Sequence, residues 1–211
     1  MSTKIKFLFS VFTALTVISS AQNFGGVINF KKQSGTVPTN CTYYVKGDKV
    51  RFDEYKPGTK TLAESFIMDI KAGTMIYMDP ARKLFGTQKQ SGNSIAAAGC
   101  MVTTTKDMKD FLTYKCTEQL VKNVGDSTQI DFLIAPGKFA FFMPMLKMIN
   151  SREKFSTYYL AMTNPDGSMP VLAIMKDLKG VEKERMEVTK IESKVVTDDV
   201  FNVPADYTEQ K

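Results

Sequence analysis

The chain has no histidine and no tryptophan among its 211 residues, and only three cysteines. Without histidine, neither a Ser-His-Asp nor a Cys-His catalytic arrangement can be assembled. Cys41, Cys100 and Cys116 form no Cys-x-x-Cys pair, so a zinc site or a thiol redox motif is not expected either. No glycine-rich phosphate loop follows a strand, and no serine sits in a Gly-x-Ser-x-Gly elbow. Neighbouring acids such as Asp53 with Glu54, or Asp198 with Asp199, come nearest to a glycosidase carboxylate pair. They read instead as solvated strand ends or turns, and the missing indole removes the usual saccharide platform. These absences argue against an enzyme, and no cofactor or metal is expected. A long run of one charge sign is lacking too. The formal charge is +6, but the densest basic stretches, Lys176-Asp177-Leu178-Lys179 and Glu182-Lys183-Glu184-Arg185, are interleaved with acids. A nucleic-acid surface would concentrate positive charge among aromatics, so that partner is not expected.

What is present begins with an export signal. Lys4 and Lys6 form a basic start, Phe7 to Ile18 an apolar stretch too short to span a bilayer, and Ser19-Ser20-Ala21 a small-residue cleavage site. Residues 1–21 are thus expected to be a signal peptide, and 22–211 one domain of about 190 residues. Loss of Lys4 and Lys6 lowers the formal charge from +6 to +4. No cysteine stands at the cleavage point to be acylated, and no later segment is long enough for a membrane span. The expected product is a soluble exported protein, in the periplasm rather than the outside medium because no second sorting signal follows. Three cysteines in an oxidising compartment fit either one bridge with a spare thiol or three separate buried thiols. Asn40-Cys41-Thr42 is a glycosylation sequon that matters only on a eukaryotic route.

The mature sequence reads as short strands joined by turns. Gly26 to Phe30 and Cys41 to Val45 are strands, and Lys46-Gly47-Asp48-Lys49 is a tight turn beyond which Val50 and Phe52 share one face. Phe66, Met68 and Ile70 share a face, Lys71-Ala72-Gly73 turns the chain, and Thr74 to Met78 returns. Asp79-Pro80-Ala81-Arg82 leads into a strand over 83–87, making a meander. Residues 88–99 hold almost no bulky apolar side chain and are expected to be a mobile surface loop. Strands follow at 101–105, 113–122 and 128–134. Lys138 to Asn150 lacks alternation and predicts a helix, with Pro144 marking a kink or a start near that point. An aromatic cluster of Phe155, Tyr158 and Tyr159 precedes a strong turn at Asn164-Pro165-Asp166-Gly167. Two strands, Val171 to Lys176 and about Glu184 to Val196, close the chain.

The chain is rich in methionine, with thirteen residues that include Met143, Met145 and Met148 in the expected helix and Met68, Met75 and Met78 in the central hairpin. Flexible thioethers suit either an irregular core or an adaptable cavity for apolar ligands. Sequence alone leaves both open.

Phe24-Gly25-Gly26-Val27-Ile28 and Tyr43-Tyr44-Val45-Lys46-Gly47-Asp48-Lys49-Val50-Arg51 resemble the opening of a family of exported bacterial proteins labelled as a domain of unknown function. That family is similar to the outer-membrane lipoprotein carrier superfamily. The resemblance continues through Phe66-Ile67-Met68-Asp69, Tyr77-Met78-Asp79-Pro80, Lys83-Leu84-Phe85 and Tyr114-Lys115-Cys116. Thr113 stands where the family tends to have glycine, and the ending Val200-Phe201-Asn202-Val203-Pro204-Ala205-Asp206-Tyr207 is family-like. The resemblance implies an α+β, mostly β fold: a curved antiparallel sheet or incomplete β-barrel covered by one or more helices, with an apolar interior. Phe66, Met68, Met75 and Tyr77, faced by Phe139, Phe142, Met143, Leu146 and Ile149, are the expected lining. A lipid, an acylated protein or another apolar ligand would fit such an interior. The alternative is an envelope module with a filled core that binds a partner protein through its outer face or the 88–99 loop.

Overall fold

The period-two alternation seen in the sequence is realised, among the described residues, as twelve strands of a single sheet. The computed structural model describes residues 23–89, 96–163 and 167–210. The export segment 1–21, the middle of the 88–99 loop and three residues of the Asn164–Gly167 turn lie outside the described residues. The first half forms β1 (Gly26–Gln33), β2 (Thr39–Lys46), β3 (Lys49–Tyr55), β4 (Leu62–Asp69), β5 (Thr74–Asp79) and β6 (Leu84–Lys89). The second half forms β7 (Met101–Phe111), β8 (Tyr114–Asn123), β9 (Thr128–Ala135), β10 (Met169–Asp177), β11 (Glu182–Ser193) and the short β12 (Thr208–Glu209). Helices α1 (Phe142–Ile149) and α2 (Lys154–Leu160) lie between β9 and β10.

The strand order is β12-β6-β5-β4-β3-β2-β1-β11-β10-β9-β8-β7. Two antiparallel meanders, β1 to β6 and β7 to β11, are therefore joined side by side where β1 pairs with β11. The sheet curves around the helices and does not close, as the expected incomplete barrel requires.

Each face has its own apolar packing because alternate side chains point to opposite faces. On the face covered by the helices, Ile28, Phe30, Val50, Met68, Ile130 and Phe132 pack with Phe142, Met145 and Tyr159. On the other face Val27, Ile67 and Met78 are covered by Val196 and Phe201 from the C-terminal segment. A 3-10 turn over Asp198–Phe201 belongs to that cover, and β12 adds an edge strand parallel to β6; neither is evident from the sequence.

Several boundaries differ from the sequence expectation. The helix expected over 138–150 is confined to Phe142–Ile149. Pro144 is its third residue, where a missing N–H breaks no helical hydrogen bond. Residues before it are drawn into other pairings: the Lys138 carbonyl accepts from the Phe24 N–H at 2.7 Å, and the Phe139 N–H donates to the Gly167 carbonyl at 2.8 Å. Asn150 ends α1 in the left-handed conformation (φ 48°), which asparagine tolerates. The described ends of the 88–99 segment are held more firmly than expected. Gln88 and Lys89 belong to β6, the Ala97 N–H donates to the Thr157 carbonyl at 2.9 Å, and Asn123 Nδ2 donates to the Ala98 carbonyl at 2.8 Å. All three cysteines are free thiols, with Cys41 and Cys116 buried.

Candidate ligand-binding site

Antiparallel register lines up one rank of rings across neighbouring strands. Tyr43 on β2 is opposite Phe52 on β3, Phe52 is opposite Phe66 on β4, and Phe66 is opposite Tyr77 on β5. Their ring centroids are 5.4, 6.0 and 5.2 Å apart in that order, and Phe30 of β1 stacks on Tyr43 at 4.8 Å. Such offset contacts stabilise aromatic pairs beyond area burial alone. Helix α1 lies across this rank with Phe142 and Leu146, four residues and one turn apart, on its inward side. The Phe142 ring meets Tyr159 of α2 edge-on at 5.4 Å.

Between the rank of rings and the helices lies a cavity of about 290 Å³. It sits at the lower edge of the roughly 300–1,000 Å³ usual for small-molecule sites. Four of the nine expected lining residues meet there: Phe66, Phe142, Leu146 and Ile149. The other five do not line it. Met68 and Met75 share the face of Phe66 but are buried in the core, and Tyr77 packs beside Phe66 one strand further out. Phe139 precedes α1 and packs on Phe24 and Tyr114, each at 5.6 Å. Met143 is partly buried against the core on another side of α1. Most of the described methionines serve as packing, and among them Met186 of β11 reaches the cavity.

Phe30, Tyr43, Phe52, Phe132 and Phe155 complete the apolar wall. Phe52 could have been found from its alternation with Val50, since the hairpin register carries that face across to Phe66. Phe30 required knowing that β1 pairs with β2.

One rank nearer solvent, the same alternation puts polar side chains on the cavity face. Phe52 gives way to Glu54 on β3, Phe66 to Glu64 on β4, and Phe30 to Lys32 on β1. Lys32 Nζ donates to Glu54 at 2.9 Å and to Glu153, the residue before α2, at 3.4 Å. It also lies 5.6 Å from the Phe52 ring centroid. Burial pulls the Lys32 pKa down, but the carboxylates of Glu153 and Glu54 outweigh it and hold the ammonium firmly charged. Glu64 faces Glu54 directly across the β3–β4 pair. Burial first, and the Glu54 charge second, raise the Glu64 pKa above the ordinary carboxylate range. Cys41, beside this cluster, has its thiol pushed up to about 12, chiefly by burial, so it is no nucleophile at neutral pH. This rim opens into a wider groove of about 790 Å³ that shares Lys32, Glu153 and Phe155 with the cavity.

Among the described residues no group of three potential ligands could hold a metal ion. Among the same residues, no helix is long and apolar enough to cross a membrane.

Residues 24–207 match the family described as Domain of unknown function (DUF4412). The chain belongs to that family. No curated protein matches the sequence significantly. The crystal structure of an uncharacterized conserved protein from Thermus thermophilus is 8% identical, with a TM-score of 0.54 over 87% of this chain and 88% of that one. At that identity the likeness extends to the fold of this DUF4412 chain alone. A chain of the Pseudomonas aeruginosa MucA/MucB complex is 10% identical, with a TM-score of 0.46 over 85% of this chain and 56% of that one. A putative outer membrane lipoprotein-sorting protein domain from Vibrio parahaemolyticus is 8% identical, with a TM-score of 0.35 over 83% of this chain and 88% of that one.

Proposed function

We propose that this DUF4412 protein is exported to the cell envelope and there shelters an apolar chain, borne by a lipid, an acylated protein or a similar ligand, without altering it. The observation that carries this reading is the cavity of about 290 Å³ between the aromatic rank and α1, apolar within and open at a polar rim. An alkyl chain moving from water into such a space gains about 0.8 kcal/mol for each CH₂ group buried. Binding of this kind needs no reactive side chain. It needs a space that stays dry, and the ring contacts give that space a built wall.

A neutral fluorescent probe, N-phenyl-1-naphthylamine, tests the reading directly. The protein is expected to bind it saturably at one site. Ile149→Trp, which fills the cavity from the partly exposed end of α1, is expected to weaken binding about tenfold with an unchanged circular dichroism spectrum. Absence of saturable binding, or binding indifferent to Ile149→Trp, would overturn it.

A second reading, that of a protein-interaction module, has one observation in its favour. β7 forms an edge of the sheet, and Met101, Val102 and Met108 on it are 55%, 41% and 57% exposed. Native mass spectrometry of the protein from its own host separates the two readings. Co-purified lipid supports the first, and a stoichiometric protein partner supports the second.

A further inference from the structure

The cavity's rim has an unequal charge balance that constrains what its ligand can carry. Three carboxylates, from Glu54, Glu64 and Glu153, stand around one ammonium, Lys32. Lys32 is already engaged by Glu54 at 2.9 Å and by Glu153 at 3.4 Å. Glu64 lies in no ion pair among the described residues, and it faces the carboxylate of Glu54 across the strand pair. Like charges directly opposite one another on a sheet repel. The outer groove corrects the imbalance only in part, because three of its cations are ion-paired with carboxylates of their own. Lys176 is paired with Asp131 at 2.5 Å, Lys183 with Asp177 at 3.1 Å and Arg185 with Glu182 at 2.9 Å. Lys154 donates to the neutral Thr128 hydroxyl at 2.7 Å and keeps its charge, but it lines the outer groove and not the cavity.

We propose, resting on the apolar-ligand reading above, that the cavity selects a single-chain amphiphile with a cationic amine head group, and that Glu64 is the residue that receives that head. The volume admits one chain and not several. A chain seated against Phe66 and Leu146 brings its polar end to the rim, one rank of side chains outward along β4. An ammonium there relieves the Glu54–Glu64 repulsion and gives Glu64 a direct ion pair, where Lys32 acts on it only at a distance. A carboxylate or phosphate head at the same place adds a fourth negative charge. Selection therefore arises as much from repelling anionic amphiphiles as from attracting cationic ones.

The experiment compares decylamine, decanol and decanoate as competitors of N-phenyl-1-naphthylamine at neutral pH, all below their micelle-forming concentrations. Decylamine is expected to displace the probe at a concentration about tenfold lower than decanoate, with decanol between them. Glu64→Gln is expected to abolish most of the advantage of the amine and to leave decanol unchanged. Added salt should narrow the difference between amine and carboxylate in the unaltered protein. Decanol binding with no preference for the amine, or a preference that survives Glu64→Gln, overturns this proposal alone. If neither the probe nor decanol binds, the apolar-ligand reading falls and takes this proposal with it.

Discussion

Glu64 illustrates how a side chain that looks like ordinary surface acquires a role from its neighbours. Its raised pKa, caused first by burial and then by the Glu54 charge, means that the folded protein holds the Glu64 proton to higher pH than the unfolded chain does. The stability this contributes is complete below the unfolded-chain value, near 4.3, and is lost as pH rises through the folded value. Above the folded value the ionised carboxylate thus weakens the fold, and removing its charge should help. Glu64→Gln is expected to stabilise the protein at pH 7 by roughly 0.2–1 kcal/mol, the range for a cross-strand pair. That corresponds to about 1–3 °C in melting temperature for a chain of this size. The gain should vanish near pH 3.5, where the Glu64 carboxyl is protonated, roughly one unit below the reference value. Calorimetry at the two pH values checks this, and an equal gain at both would show that charge is not the cause. In the sequence, Glu54 reads as a solvated strand end or turn, and nothing singles out Lys32 or Glu64. Alternation does place Glu54 on the face of Val50 and Phe52. Nothing in the sequence brings Glu153, which is 121 residues from Lys32 along the chain, to close the cluster.

Among the elements, β1 carries the greatest architectural demand, since it joins the two meanders by pairing with β2 on one side and β11 on the other. Gly26 opens this strand at φ 150°, and a Cβ there would stand 2.0 Å from the carbonyl oxygen of Glu192 on β11. That contact is with backbone, which cannot rotate away, so Gly26→Ala must push the two strands apart or fail to pair. A loss of roughly 2–4 kcal/mol in urea unfolding is expected, at the upper end for single substitutions. A loss below about 0.5 kcal/mol, ordinary for a surface change, would mean that β11 moves freely to accommodate it. The hairpins of β2 to β6 were legible because their turns and alternation are local. The β1–β11 pairing was not, because it links residues from opposite ends of the chain and needs no signature beyond two compatible faces. β7 shows the same limit. Its outward side chains are largely exposed along all eleven residues, so alternation marks only a part, and its full length is set by pairing with β8. The expected helix over 138–150 was overlong for a related reason, since the tertiary hydrogen bonds of Lys138 and Phe139 to distant segments override a merely apolar stretch.

At the scale of the whole molecule, one sheet separates two apolar layers with different duties. The helix-covered layer contains the cavity, whereas the opposite layer is a plate in which Phe201 covers Val27, Ile67 and Met78. The two layers share strands but not side chains: Ile28 and Phe66 point to one, Val27 and Ile67 to the other. Arg51 ties the plate down by donating from Nη1 to the Val200 carbonyl at 2.9 Å, while its Nε pairs with the buried Asp53 at 2.7 Å. This division implies that the C-terminal segment supports the sheet without shaping the ligand space. Phe201→Ala leaves a void on the plate side and is expected to cost about 3 kcal/mol, as for other large-to-small core changes. The same variant, measured well below its unfolding midpoint, should bind N-phenyl-1-naphthylamine with the affinity of the unaltered protein. A drop of more than about threefold in affinity, roughly 0.7 kcal/mol, would show that strain passes through the sheet from one layer to the other. In that case the curvature set by the plate would itself help determine the width of the cavity. Unchanged affinity alongside lowered stability would instead assign the plate to holding the sheet together and the helix side to the ligand.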